Sequence, residues 1–225
     1  MRVRDPERPL SRWNRELNRS HPPDLFSRHR NPILRFVERR RRARLRSMAA
    51  ARLKPGAGAG LVADVGSGGG FAGGAIADAG FGRRVVSLDI DPAMLSRGGA
   101  ASVVADAEHL PFRERSLDAL IASAVLEHLP DPAGALAGMA RAVRRDGFVL
   151  LCVPNDRAVL AAKRAVRAAR LARFFGGMTA GVAPGHLHVF SSEELRAMCR
   201  RAGRLETFVF DPIAFSWFAV VRPRG

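Results

Sequence analysis

Three observations predict an α/β fold, with a doubly wound, mostly parallel sheet covered by helices on both faces. Short apolar runs of strand type alternate with helix-like segments from residue 61 onward. The first run empties into a glycine-rich turn, "LVADVGSGGGFAGG", Leu61 to Gly74, and the second ends on an acidic residue, Asp89. Strands that are apolar on both faces need cover on both sides, and parallel strands need crossover connections, so strand and helix must alternate along the chain.

The elements follow in order. Leu61 to Val65 is a strand, Phe71 to Ala79 a small-residue helix and Val85 to Asp89 a second strand. Pro92 to Arg97 is a short helix with proline in its first turn, where the missing N–H costs nothing. Ser102 to Ala105 and Leu117 to Ser123 are strands three and four, Pro132 to Arg144 a helix, and Phe148 to Val153 the fifth strand. Arg157 to Phe175 is a basic helical segment, followed by a glycine-rich stretch to Gly185. Ser191 and Glu194 form a capping box for a helix running to Arg201 and stopped by Gly203. Leu205 to Phe210 and Phe215 to Val221 read as an antiparallel hairpin at one edge, turning at Asp211-Pro212.

Upstream, the first twenty-odd residues are polar and rich in Arg and Pro, which suits a loosely ordered arm. Pro32 to Leu53 then reads as a helix in which Ile33, Leu34 and Val37 pack on a larger body, and Pro55 to Gly60 marks a boundary. The expected organisation is therefore a basic arm and helix over 1–55 and a main domain over 56–225, with 157–190 as a basic helical insert or lid.

The 225 residues suffice for one domain with a real core plus an appendage. Charge is unevenly placed: residues 1–55 hold 17 Lys+Arg against 5 Asp+Glu, a net +12, whereas 56–225 hold 20 against 16, a net +4. Arginine supplies 35 of the 37 cations, so arginine-rich coding competes with polyanion binding as the reason for the excess. No apolar run reaches the ~20 residues of a membrane span and the N-terminus lacks a secretory apolar segment, which predicts a cytoplasmic protein. Cys152 and Cys199 lie far apart in apolar or helical surroundings and read as buried thiols.

The glycine turn alone supports two registers. Gly68, Gly70 and Gly73 satisfy G-x-G-x-x-G, while Asp64, Gly66, Gly68 and Gly70 satisfy D-x-G-x-G-x-G. Either offers backbone N–H groups without side chains in the way. Asp89 stands 19 positions after Gly70 at a strand tip, suited to ribose hydroxyls, and Asp91 caps the helix that Pro92 opens. In "VVADAEHLPF", Asp106 follows a third strand end, so its carboxylate suits an exocyclic amino group while Ala107 leaves space for a flat ring.

The motifs "VADVGSGGG", "VVSLDIDPAML", "ADAEHLPF", "LDALIASAVLEHLPDP", "VRRDGFVLLCVPN" and "HLHVFSSEELRAMCRRAG" occur in this order over roughly residues 60 to 210. Together they resemble the class I S-adenosylmethionine-dependent methyltransferases, especially the small-molecule branch. The resemblance implies a Rossmann-like seven-stranded sheet of order 3-2-1-4-5-7-6 with strand 7 antiparallel, and S-adenosylmethionine as cofactor. It places Asp64 and the turn of Gly66, Ser67, Gly68 and Gly70 by the cofactor's amino-acid portion, Asp89 at the ribose, Asp106 and Ala107 at adenine, and Ile90 against the adenine ring. The register Asp64, Gly66, Gly68, Gly70 is then selected. Gly73 and Gly74 become helix residues that allow close packing, with Gly73→Ala tolerated.

Catalytic groups are harder to read, because the methyl group is already activated and positioning does most of the work. Glu127 and His128, after strand four, are candidates to lie near the methyl, with His128 as base or acceptor orienter; bracing the following helix is the competing role. Asn155, His186 and His188 are candidate substrate-pocket residues. His186 and His188 would share a strand face, but no carboxylate or cysteine cluster accompanies them in the sequence, so no metal is expected.

The basic arm and insert suit a small or lipid-like acceptor met at an anionic membrane surface, making the inner face of the membrane a peripheral location. Lys163, Arg164, Arg167 and Arg170 fall on one side of the insert helix and Val159, Ala162, Val166 and Ala169 on another. RNA or protein as acceptor is the second reading. A NAD-dependent oxidoreductase, or a nucleotide-binding module without transferase activity, is the third. The tetrapeptides N-P-P-Y and D-P-P-Y of amino-directed nucleic-acid methyltransferases are absent, and Cys152 precedes rather than follows a proline, which argues against nucleic-acid chemistry of those kinds.

Overall fold

The computed structural model describes residues 32–53, 60–77, 84–95, 101–168 and 185–224. The arm before residue 32, the boundary stretch 54–59 and the later insert 169–184, with Ala169 and Arg170, lie outside the described residues. The strands are β1 (Leu61–Val65), β2 (Arg84–Asp89), β3 (Ala101–Val104), β4 (Leu117–Ser123), β5 (Val143–Pro154), β6 (Arg204–Asp211) and β7 (Ser216–Arg222). They form one seven-stranded sheet in the order β3-β2-β1-β4-β5-β7-β6. Strands β1 to β5 pair in parallel, and β7 runs antiparallel to both β5 and β6. The fold and its strand order are those the sequence predicts.

Six α-helices occur among the described residues: α1 (Pro32–Ala50), α2 (Phe71–Ala77), α3 (Pro92–Leu95), α4 (Pro132–Ala142), α5 (Asp156–Ala168) and α6 (Ser192–Ala202). The continuous apolar runs of β4 and β5 arise because both faces are covered. Leu120 and Leu151 join Leu136, Met139, Leu195 and Met198 in one core, while their neighbours Ile121 and Leu150 join Leu45, Ile76 and Phe218 in the other. Successive strand residues point to opposite faces, so each neighbour pair feeds both layers.

Helix α1 belongs to the second of these cores. Among its described side chains, Leu45, Met48 and Ala49 are buried, with Leu53 just beyond, and Val37 is half-buried. The side chains of Ile33 and Leu34 lie outside the description. Arg40 Nε donates to Asp211 Oδ2 at 2.9 Å, and Arg41 Nε donates to the Ala214 carbonyl at 3.2 Å and to Ser216 Oγ at 3.0 Å. The helix is thereby tied to the turn of the terminal hairpin.

Two helix ends differ from their sequence reading. Helix α4 stops at Ala142 and Val143 is already extended, so β5 begins five residues earlier than expected. At the end of α6, Gly203 has a φ of −174° and is extended, not left-handed. Glycine is needed there because a Cβ would collide with the Arg222 carbonyl oxygen of β7. The capping box is formed as expected, with Glu194 N donating to Ser191 Oγ at 3.2 Å and Ser191 N to Glu194 Oε2 at 2.8 Å.

Candidate active site

The glycine turn resolves its own register. Gly66, Gly68 and Gly70 have φ of 63°, 52° and 78°, a left-handed conformation at every second position, whereas Gly73 lies within α2. Only glycine adopts that alternation without strain. The turn is pinned to the end of β2: Ser67 N donates to the Leu88 carbonyl at 2.8 Å, and Gly68 N to Asp89 Oδ2 at 2.9 Å. A Cβ on Gly66 would come within 2.5 Å of Val125 Cγ2, so the turn also abuts the segment after β4. A Cβ on Gly69 would meet nothing within 4 Å among the described residues. The turn opens on that side.

Asp64, the fourth residue of β1, is buried, and its Oδ2 accepts from Gly73 N at 2.6 Å. Burial pushes its carboxyl up to about 7, against the lowering effect of that hydrogen bond. Gly73 is thus a close-approach position. A Cβ there would sit 2.8 Å from Asp64 Oδ2 and 3.0 Å from Val85 Cγ1, so alanine would crowd both side chains.

Asp89 is buried at the tip of β2, and burial raises its carboxyl although three backbone N–H groups oppose the shift. Its Oδ1 accepts from Asp91 N at 3.0 Å. Each carboxylate oxygen has further lone pairs for hydroxyl donors. Asp91 caps α3 as expected, with Oδ1 accepting from Ala93 N at 3.0 Å. Asp106 Oδ1 accepts from Glu108 N at 2.9 Å, closing its own turn, and Oδ2 lies 3.3 Å from His109 Nδ1. Ile90 and Ala107 are half-buried beside these carboxylates in the chain. An acid at the second strand tip beside an open, side-chain-free turn fits an adenosyl cofactor with an amino-acid tail.

Beyond β4 the chain turns sharply. Ala124 takes a left-handed φ of 55°, uncommon outside glycine, and leads into the 3-10 turn Leu126–His128. Neither Glu127 nor His128 caps helix α4. Asp131 caps it, accepting from Gly134 N at 2.9 Å, with Pro132 in the first turn.

Glu127 is 1% exposed, and neither carboxylate oxygen has a hydrogen-bond partner among the described residues. His128 Nε2 lies 4.0 Å from Glu127 Oε1, while its Nδ1 is 2.9 Å from the Gly185 carbonyl. His186 stands edge-on to His128, ring centroids 4.9 Å apart, and its Nδ1 is 2.7 Å from Asp156 Oδ2. Leu187 N and His188 N both donate to the Glu127 carbonyl, at 2.8 and 3.2 Å, which brings the two segments together. Burial raises the Glu127 carboxyl in spite of the two imidazoles. Burial alone would depress His186, but the Asp156 hydrogen bond and the charges of Glu127 and Asp156 outweigh it, so the net shift is upward.

The structure therefore unites Glu127, His128 and His186 and leaves His188 aside. Residues 186–190 are not a strand, and the two histidines diverge: His188 Nε2 is 2.9 Å from the Leu129 carbonyl, with its ring stacked on Phe190. The sequence reading found no carboxylate beside these histidines; folding supplies Glu127 and Asp156. Asp156 was missed, although an acid just past a strand end is the same signal that drew attention to Asp89. Asn155 Oδ1 caps α5, accepting from Ala158 N at 3.1 Å. Both cysteines are buried, which pushes Cys152 up to about 11 and Cys199 up to about 12.

A sheet of this order with an antiparallel seventh strand, an alternating-glycine turn after β1 and an acid closing β2 defines the class I S-adenosylmethionine-dependent methyltransferase fold. Residues 63–151 match the model of the methyltransferase domain family. That stretch, which runs from β1 through most of β5, is thus similar to a methyltransferase domain. No curated protein matches the chain in sequence.

Among solved structures, an S-adenosylmethionine-dependent methyltransferase of Mesorhizobium loti is 17% identical, with a TM-score of 0.59 over 80% of this chain and 96% of its own. A Pyrococcus horikoshii protein is 15% identical with a TM-score of 0.63, covering 93% and 99%. A Haloferax volcanii protein solved in complex with the Trm112 methyltransferase activator is 18% identical with a TM-score of 0.59, covering 87% and 99%. No helix among the described residues is long and apolar enough to cross a membrane.

Proposed function

We propose that the protein methylates a small or lipid-like acceptor held at the corner formed by Glu127, His128 and His186. In this reading Asp64 and the turn of Gly66, Ser67, Gly68 and Gly70 receive the cofactor's amino-acid portion. Asp89 accepts from the ribose hydroxyls, and Asp106, Ala107 and Ile90 border the adenine. S-adenosylmethionine, when bound, supplies a methyl group already activated by its sulfonium. The chain's own task is to align an acceptor and exclude water. His128 orients that acceptor or takes its proton: with Nδ1 donating to the Gly185 carbonyl, the neutral ring leaves Nε2 as its acceptor. His186 and Asn155 border the acceptor pocket, and His188 supports the same segment from outside the corner.

The observation that carries the acceptor's class is the surface beside these histidines. Leu187 is 50% and Val189 37% exposed, an apolar pair in a segment otherwise held by hydrogen bonds. On α5, Arg164 and Arg167 are exposed while Val159, Ala162 and Val166 are half-buried. An apolar lip next to a basic amphipathic helix suits a hydrocarbon-bearing acceptor approached from an anionic surface.

Sedimentation with anionic and neutral liposomes tests this. The wild-type protein should sediment with anionic vesicles alone, and the double change Arg164→Glu, Arg167→Glu should release it. Indifference to lipid charge overturns the membrane approach, and RNA retention lost on deleting residues 1–30 moves the acceptor to RNA. Calorimetric titration with S-adenosylhomocysteine and with NADH checks the cofactor assignment, only the former being expected to bind.

A further inference from the structure

We propose that Glu127, His128 and His186 bind one divalent transition-metal ion, of the Zn2+ or Co2+ type, at the carboxyl end of β4. Each residue offers one ligand atom, and the three atoms lie within 4.8 Å of one another. In a tetrahedral site, metal bonds of roughly 2.0–2.2 Å set ligand atoms about 3.3–3.6 Å apart, so binding would draw the three side chains together by up to about 1.5 Å.

The orientation of the rings is the strongest argument. Both imidazoles have Nδ1 committed, His186 to the Asp156 carboxylate at 2.7 Å and His128 to the Gly185 carbonyl at 2.9 Å. That leaves Nε2 of each ring as the lone-pair nitrogen. A metal-bound histidine is held in this way by a carboxylate or a carbonyl behind it, which fixes the tautomer and raises its basicity. The second argument is Glu127. It is buried, both oxygens lack a hydrogen-bond partner among the described residues, and it stands 4.0 Å from His128 Nε2. As a carboxylate it has the charges of Arg41 and the two imidazoles nearby but no hydrogen-bond donor, and as a neutral acid it lacks an acceptor for its proton among the described residues. A cation between the three groups answers both deficits.

Two imidazoles and one carboxylate favour a transition ion over Mg2+ or Ca2+, which prefer oxygen ligands. Three protein ligands leave coordination positions open, and an acceptor hydroxyl or carboxylate has the chemistry to fill them. His128 would then orient the acceptor through the ion instead of taking a proton itself. This use of the ion rests on the acceptor lying at the same corner; binding of the ion does not.

The test is metal retention by the full-length chain. Chelator-treated protein is dialysed against Co2+ or Zn2+, desalted and assayed by elemental analysis, with Co2+ also followed by visible absorption. One equivalent per chain is expected, with a ligand-field band shaped by imidazole and carboxylate. Glu127→Gln and His186→Gln should each lose the bound ion. Asp156→Asn, which keeps the fold and only slackens the support behind His186, should weaken affinity roughly 10–100-fold.

S-adenosylhomocysteine titration of the same samples reports on the cofactor site separately. Wild-type protein that binds S-adenosylhomocysteine but retains no Co2+ or Zn2+ overturns the metal site and spares the methyltransferase reading. Retention unchanged in Glu127→Gln and His186→Gln also overturns it.

Discussion

Asp64 stands where β1 gives way to the glycine turn, and its burial couples its protonation to folding. An acid whose carboxyl is raised from 3.8 to about 7 in the folded state binds more protons there than in the unfolded chain between those values. Its contribution to stability is therefore full below about pH 4 and lost as the pH rises toward 7 and beyond. Asp64→Asn should remove that component. Urea midpoints measured from pH 5 to 8 should fall with rising pH in the wild type and fall less in the variant. The neighbouring glycines separate two kinds of need. Gly68→Val forces a β-branched residue to a φ of 52° and disturbs the amide that Asp89 holds, so S-adenosylhomocysteine binding should disappear from calorimetric titration. Gly73→Ala crowds Asp64 and Val85 and should cost about 1–3 kcal/mol in urea denaturation, with cofactor affinity changed far less.

Elements were more legible than the contacts between them, for a physical reason. Strand and helix periods are local, so apolar runs such as "LDALIAS" and the box from Ser191 to Glu194 announced β4 and α6 directly. Asp89 and the glycine turn were readable because they end adjacent parallel strands, which fixes their neighbourhood once the sheet order is known. The Glu127 corner was not readable. Its members come from the end of β4, the start of α5 and the stretch before α6, and Asp156 and His186 meet across 30 positions. No local period encodes such a meeting; the two bonds to the Glu127 carbonyl create it. The box that starts α6 anchors the same stretch from the other side. Ser191→Ala should cost about 1 kcal/mol in thermal or urea unfolding and increase amide exchange through residues 186–190.

At the level of the whole molecule, α1 decides whether the chain unfolds as one body or two. A basic appendage would fray without consequence for the sheet, and the charge excess of residues 1–55 invited that picture. Instead Leu45, which is fully buried, packs in one core with Ile76 of α2, Ile121 of β4, Leu150 of β5 and Phe218 of β7. Arg40 and Arg41 reach the hairpin turn, and Arg52 Nε donates to Glu206 Oε1 of β6 at 2.7 Å. Removing most of the Leu45 side chain leaves a cavity between a helix and three strands that are fixed by their own ladders and cannot collapse onto it. Leu45→Ala should therefore cost about 2–5 kcal/mol of global stability, near the usual range for a leucine in a closed core. Far-ultraviolet circular dichroism and the fluorescence of Trp217 in β7 should follow one shared transition at the lower urea midpoint. Two separated transitions, with the Trp217 signal unmoved, would mean that α1 is an independent appendage.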